Sequence, residues 1–295
     1  MTKLLVRVKS KVFIRANRRV MGLLDGQYAS LSRGRSMDFD DLRAYVAGDE
    51  VKDIDWKATA RHGTPLVRNY SADRQHELLL VVDTGRNLAA TAESGEPKRE
   101  LAVLVSGVLG YLSLRHGDRV SVMHGNAEGV TRLKAATTEA RLEGLLRAID
   151  ESPQLRGPVS DLPGLLRSVL QTVRRRCIVV VIADDISMTD ELEATTRLLQ
   201  ARHELLWCTV ADADLVRGID GNPAMFDVAD ESLIPDFVRN NRALQTDFDR
   251  AAADRAERMG KSLEVLGISH TRLTAEATVV TSLLSMLQRR AHARR

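Results

Sequence analysis

From His76 onward the chain alternates short unbroken apolar runs with longer stretches whose apolar residues recur every three or four positions. "HELLLVVD" (76–83), "CIVVVIAD" (177–184) and "HELLWCTV" (203–210) are runs of the first kind. Continuous Val, Ile and Leu without polar alternation is the pattern of strands buried on both faces. "RVSVM" alternates like a strand. "KRELAVLVSGVLGYLSLRHGD", introduced by Pro97 and closed by Gly117, predicts a helix. So do "TEARLEGLLRAID", "DLPGLLRSVLQTVRRR" with Pro163 in its first turn, and "TDELEATTRLLQAR". A long polar helix in "PDFVRNNRALQTDFDRAAADRAERMGKSLEVLG", a strand in "SHTRLTAE" and a last helix ending "MLQRRAHARR" complete the rhythm. Strand–helix alternation with fully apolar strands predicts the α/β class: a mainly parallel sheet covered by helices on both faces. Right-handed crossovers make it doubly wound.

Composition narrows the class without changing it. Hydrophobic residues at 44% and charged ones at 28% describe a globular chain. The longest uncharged apolar run, Leu101 to Leu114, is too short to cross a bilayer and reads as a buried helix. The charged N-terminal segment does not resemble a signal peptide, so a cytoplasmic setting is expected. Cys177 and Cys208 sit at or inside apolar strands and read as reduced core thiols, not a disulfide framework or zinc site.

The net charge is only +3, but it is unevenly spread. Lys3, Arg7, Lys9, Lys11, Arg15, Arg18, Arg19, Arg33 and Arg35 face a single acidic residue, Asp25, in the first 35 positions. Such an arm can bind nucleic acid or an anionic membrane surface. Leu4, Leu5, Val8, Val12 and Ile14 also fall close to helical spacing. An amphipathic leader helix over 1–30 is the expectation.

In doubly wound sheets the functional crevice lies beyond the carboxyl ends of the strands. Two strands end in aspartate there: Asp83 after "LLLVV", and Asp184 followed by Asp185 after "IVVVIA". If these strands are neighbours, their carboxylates converge on one rim. The alternative is that each merely caps the next helix. Phosphate loop, dinucleotide fingerprint, His-Glu-x-x-His and nucleophile elbow are all missing from the sequence. His62, His76, His116 and His124 are scattered and read as surface residues.

The stretch from "SRGRSMDFDDLRAYVAGDE" through "VKDIDWKATARHGTPLVRN" to "VVDTGRNL" resembles the signature of the domain of unknown function 58 family. Its elements here are Arg43 and Tyr45, Gly48 and Asp49, Ile54, Asp55 and Trp56, then Arg61 and Arg68. The resemblance implies a von Willebrand factor type A-like domain over 76–295, preceded by a motif-bearing collar over 31–75. In the collar, Val51, Ile54 and Ala58 fall at helical spacing, Tyr45 and Trp56 are expected to pack on the sheet, and Arg43, Arg61 and Arg68 to pair with Asp49 and Asp55. The opposing reading makes Asp49, Glu50, Asp53 and Asp55 a metal or catalytic group.

The resemblance also implies a metal-ion-dependent adhesion site. Its ligand positions fall on Asp83, Gly85, Asn87, Ser160 and Asp184, where Gly85 and Asn87 replace two serines. Magnesium or manganese could still be held weakly by Asp83, Asn87, Ser160 and Asp184. Arg86, turned inward, could instead neutralise Asp83, at about 4 kcal/mol for a separation near 4 Å and an effective dielectric near 20. The expectation is a degenerate site with no resident cofactor. The family further implies a partner, a MoxR-type AAA+ ATPase, for which the chain would be a non-enzymatic adaptor recruiting a client protein. Asp83, Arg86, Asn87, Ser160, Asp184 and Asp185 would form the docking rim. The alternatives are a metal-dependent hydrolase or nuclease using Asp83 and Asp184, and nucleic-acid or membrane-surface binding through the leader.

Overall fold

The computed structural model describes residues 3–15, 18–33, 41–46, 49, 51, 54–69, 76–213, 228 and 241–293. Its centre is a six-stranded sheet built from β3 (Glu77–Asp83), β4 (Arg119–Asn126), β5 (Gly129–Ala136), β6 (Ile178–Asp184), β7 (Glu204–Val210) and β8 (Ser269–Leu273). The spatial order is β5-β4-β3-β6-β7-β8, parallel throughout except for β5, which pairs antiparallel with β4. β3 therefore lies between β4 and β6, and the strand order reverses between β3 and β6. This is the doubly wound layout read from the apolar runs.

Alternate residues of β3 serve two cores. Leu78, Leu80 and Val82 face one side, where α4 (Lys98–Arg115), α5 (Glu139–Glu151) and α9 (Val279–Ala293) pack. Leu79 and Val81 face the other, against α6 (Leu162–Thr172), α7 (Asp190–Arg202) and the C-terminal half of α8 (Arg242–Val265). The helices start where a side chain can satisfy their free N–H groups: Thr138 caps α5, Asp161 caps α6 and Thr189 caps α7. α4 is buried nearly all round, with Leu101 to Val105 and Val108, Leu109 and Leu112 in the core, as its uncharged run predicts. Gly107 and Gly110 leave room for Val8 and Leu142, whose side-chain carbons lie 2.7 and 2.8 Å from where a Cβ would stand.

β5 had no counterpart among the predicted strands. "GVTRLKAA" is mostly exposed, so it has polar residues where a central strand has Val or Ile. It follows β4 through a short hairpin loop at Ala127 and Glu128.

The leader is two helices, α1 (Leu4–Arg15) and α2 (Arg18–Arg33), and both are docked. Leu5, Val8, Leu24 and Tyr28 are buried members of the first core. Glu143 of α5 accepts hydrogen bonds from the backbone N–H groups of Leu4 (3.0 Å) and Leu5 (2.8 Å), capping α1 from a distant helix. Lys9 pairs with Glu139 at 2.6 Å, Lys11 with Glu276, and Arg7 with Glu100 and Glu276. Tyr28 stacks on His116 with ring centroids 5.6 Å apart and donates to Asp118 at 3.3 Å. Burial pushes the Tyr28 phenol well above its ordinary pKa.

Residues 41–69 form a small unit of their own. β1 (Asp41–Ala44) and β2 (Leu66–Asn69) pair antiparallel, and α3 (Trp56–His62) lies between them in sequence. Asp55 caps α3, accepting from Lys57 N–H (3.1 Å) and Ala58 N–H (3.0 Å), and Gly63 ends it at φ 76°. The expected helical spacing holds only from Trp56 onward. Val51 precedes the helix, and Ile54 forms a bridge with Val67. The collar's aromatic residues do not pack on the sheet: Trp56 is 64% exposed and Tyr45 39%. With so short a pair of strands, Val67 is the buried apolar residue of the unit's described part. Of the expected ion pairs, Arg43 meets Asp49 in a two-pronged contact at 2.6 and 2.7 Å. Asp55 serves as the helix cap. Gly48, Glu50, Asp53 and the side chain of Arg68 lie outside the described residues.

Candidate functional site

Because β3 and β6 are adjacent and parallel, with Val82 level with Ile182, their tips bring Asp83 and Asp184 to one rim. Neither carboxylate caps a helix. Asp83 is 2% exposed, and its Oδ1 accepts from Gly85 N–H at 3.0 Å. Burial pushes its pKa up to about 7, helped by the nearby charges of Asp184 and Asp161 and opposed by the Gly85 N–H and the Ser160 hydroxyl. A buried acid of this kind sheds its charge by keeping its proton.

Asp184 is treated differently. Lys98, the first residue of α4 and itself only 1% exposed, donates to Asp184 Oδ1 and to Asp212 Oδ1, which lies just past the end of β7. Burial alone would push the ammonium pKa down, but the two carboxylates outweigh it and hold it above the ordinary lysine value. Asp212 is pushed up by burial and by Asp184, against the pull of Lys98.

The 91–97 loop places the lysine. It folds back on itself through a Thr91–Pro97 bridge and pairs with the chain beyond β7, Ala92 with Asp212. Ala213 N–H donates to Thr91 O at 3.1 Å, and Lys98 N–H to Ala90 O at 2.9 Å. α4 thus starts directly over the tips of β6 and β7.

The remaining predicted positions fall around this pair. Gly85 is needed for space: a Cβ there would stand 2.5 Å from the backbone N and Cα of Ser160 and from its Oγ. The loop before α6 has closed over the place where a serine side chain at position 85 would sit. Asn87 and Arg86 lie half-buried in a 3-10 turn, Arg86–Ala89, and Arg86 N–H donates to Pro158 O at 2.8 Å. Lys98 brings its ammonium to the other aspartate, Asp184. Asp185 points away from the pair to Arg272 at 3.2 Å, which also holds Glu93 at 2.6 Å.

This arrangement does not fit a divalent ion. Gly85 contributes no side-chain oxygen and has no room for one. Asp184 already holds an ammonium. Among the described residues, no group of three or more His, Cys, Asp and Glu is placed to ligate a metal.

Lys98 and Asp212 were not among the residues singled out in the sequence, yet each left a signal. Asp212 follows the apolar run "LLWCTVA" just as Asp83 and Asp184 follow theirs. A lysine in the first turn of a buried helix opposes the helix dipole, so it needs a carboxylate partner.

The family model described as "Protein of unknown function DUF58" matches residues 41–258. Uncharacterized proteins from Mycobacterium tuberculosis and Mycobacterium bovis are 32% identical over 233 residues, covering 79% of this chain and 73% of theirs. Among solved structures, an aerotolerance-related membrane protein from Bacteroides fragilis aligns with a TM-score of 0.44 at 16% identity, over 72% of this chain and 99% of that one. A von Willebrand factor type A protein from Catenulispora acidiphila aligns with a TM-score of 0.40 at 10% identity, over 76% of this chain and 43% of that one.

Proposed function

Because the chain belongs to the DUF58 family, we propose that it is a non-enzymatic protein-interaction module, an adaptor that joins a client protein to a MoxR-type AAA+ ATPase. The docking face is the rim at the carboxyl ends of β3, β6 and β7, built as a degenerate adhesion site. One observation carries this reading: the rim's charges are answered by the chain's own side chains. Lys98 sits on Asp184 and Asp212, and Arg272 sits on Asp185 and Glu93. A rim balanced in this way needs no resident cofactor and holds no open position for a metal-activated water. Recognition of a protein surface is the use that remains. Hydrolysis at Asp83 and Asp184 would require Asp184 to exchange Lys98 for an ion.

The test is purification of the full-length chain from its own cells, beside an Arg272→Glu variant that reverses one rim charge. An AAA+ ATPase should co-purify with the native chain in the presence of a chelator and be lost or strongly depleted in the variant. Recovery of no ATPase, together with manganese-dependent turnover of a phosphodiester that disappears in Asp184→Ala, would replace this reading with the hydrolase.

A further inference from the structure

We propose that the amino-terminal end of the sheet, opposite the rim, is a basic surface that seats on an anionic phospholipid bilayer. The proposal goes beyond the adaptor reading and uses none of the rim's residues.

The loop at 173–177, between α6 and β6, carries Arg174, Arg175 and Arg176 in succession, all exposed. Two further guanidiniums fold onto the helix before it. Arg132 of β5 donates to the Thr172 carbonyl at 3.4 Å, and Arg202, the last residue of α7, to the Leu170 carbonyl at 3.2 Å. Both carbonyls lie in the last turn of α6, where the helix dipole favours cations. Strand register closes the group from the other side. Ile178 of β6 is level with Glu204 of β7, so Arg176 and Arg202 stand at matching positions before neighbouring strands. Lys134, also exposed, lies two residues after Arg132 on the same face of β5.

These six cations are answered differently from those of the rim and the leader. Among the described residues, Glu77 is the carboxylate that reaches them, at 3.6 Å from Arg132. Cations gathered at one end of a molecule build a positive potential that draws an external anion.

The side chains beside the arginines indicate which anion. The exposed aromatic residues lie elsewhere among the described residues, Tyr45 and Trp56 in the 41–69 unit and Phe248 in the first turns of α8. Stacking platforms for single-stranded bases are therefore missing from this end. Aliphatic side chains stand there instead. Leu198, 60% exposed, is one turn before Arg202 on the same side of α7, and Val265, 84% exposed, is the last residue of α8. The ends of α7 and α8 meet, since Gln200 donates to the Gly267 carbonyl at 3.5 Å. A phosphodiester backbone offers such side chains nothing. A bilayer takes both kinds: guanidiniums pair with headgroup phosphates and aliphatic side chains enter the acyl boundary.

Co-sedimentation of the full chain with vesicles tests this. Wild type should bind vesicles of equal parts phosphatidylcholine and phosphatidylglycerol, should not bind phosphatidylcholine alone, and should be released by salt. Arg174→Gln/Arg175→Gln/Arg176→Gln alters an exposed loop and should bind the anionic vesicles on the order of 100-fold more weakly, with an unchanged circular dichroism spectrum. Lys134→Gln/Arg202→Gln, on two other elements, should lose about 30-fold and carries the test if the triple variant does not fold. Leu198→Ser/Val265→Ser should also weaken binding to the same vesicles. Wild-type affinity in the folded arginine variant, or equal binding to both kinds of vesicle, would overturn the proposal. So would a duplex oligonucleotide that wild type binds more tightly than the vesicles at the same salt and that the arginine variant no longer binds.

Discussion

Asp83 and Gly85 bring two opposite demands to the same turn, one for a proton and one for empty space. Asp83 carries a folded-state pKa of about 7, above its ordinary carboxylate value of 3.8. The folded chain therefore binds more protons than the unfolded chain between about pH 4 and pH 7. Stability falls as pH rises through that window, at about 1.4 kcal/mol per pH unit, on the order of 4 kcal/mol in all. Asp83→Asn mimics the protonated acid without titrating. Its stability in urea should match wild type near pH 4 and exceed it by a few kcal/mol at pH 8. An equal difference at both pH values would exclude the ionisation as its cause. Gly85→Ser should fail to restore a metal ligand and should cost about 1–3 kcal/mol, the usual penalty for overpacking, read as a lower denaturation midpoint. From sequence, Gly85 reads as a lost oxygen. Its steric role depends on Ser160, 75 positions away, and spacing gives no sign of that contact. Asp83 and Asp184 were legible for a simpler reason: a carboxylate after an unbroken apolar run interrupts the pattern. Asp212 does the same after the third run and could have been found by the same rule.

At the scale of elements, legibility followed burial. β3, β6 and β7 are covered on both faces, so their burial appears directly as apolar runs. β5 is an edge strand whose polar positions conceal it. The small unit at 41–69 has almost no core, so its apolar residues are not organised by packing and helical spacing misled. Its exposed tryptophan gives a direct measurement. In Trp207→Phe the remaining fluorescence comes from Trp56 and should be solvent-like and readily quenched by acrylamide, whereas Trp56→Phe should leave the shielded emission of buried Trp207. Similar quenching in both variants would show that Trp56 is covered in the native protein. The leader helix offers a second measurement. Glu143→Ala removes the cap of α1 and should lower stability by about 1 kcal/mol, with faster amide exchange concentrated in α1. Uniformly faster exchange across the sheet would mean that α1 and the sheet open together.

For the molecule as a whole, the leader's basic residues are partly committed inward. Arg7, Lys9 and Lys11 meet Glu100, Glu139 and Glu276, so three of the nine basic residues suggesting a nucleic-acid arm lie against acidic residues of the domain. Binding to duplex DNA should accordingly be weak and should change little on Lys9→Ala/Lys11→Ala. A steep fall in affinity with salt that this variant flattens would restore the leader as a binding arm. The same docking has a consequence in time. α1 precedes its cap by 139 positions, and at about 5–20 residues per second synthesis takes roughly 7–28 s to cover that distance. Until α4 (Lys98–Arg115) is made, Leu5 and Val8 have neither helix to cover them, and α1 lacks its cap until Glu143 follows. α1 is thus an apolar surface whose binding place is synthesised after it, and a factor that shields emerging chains can act on it in that interval.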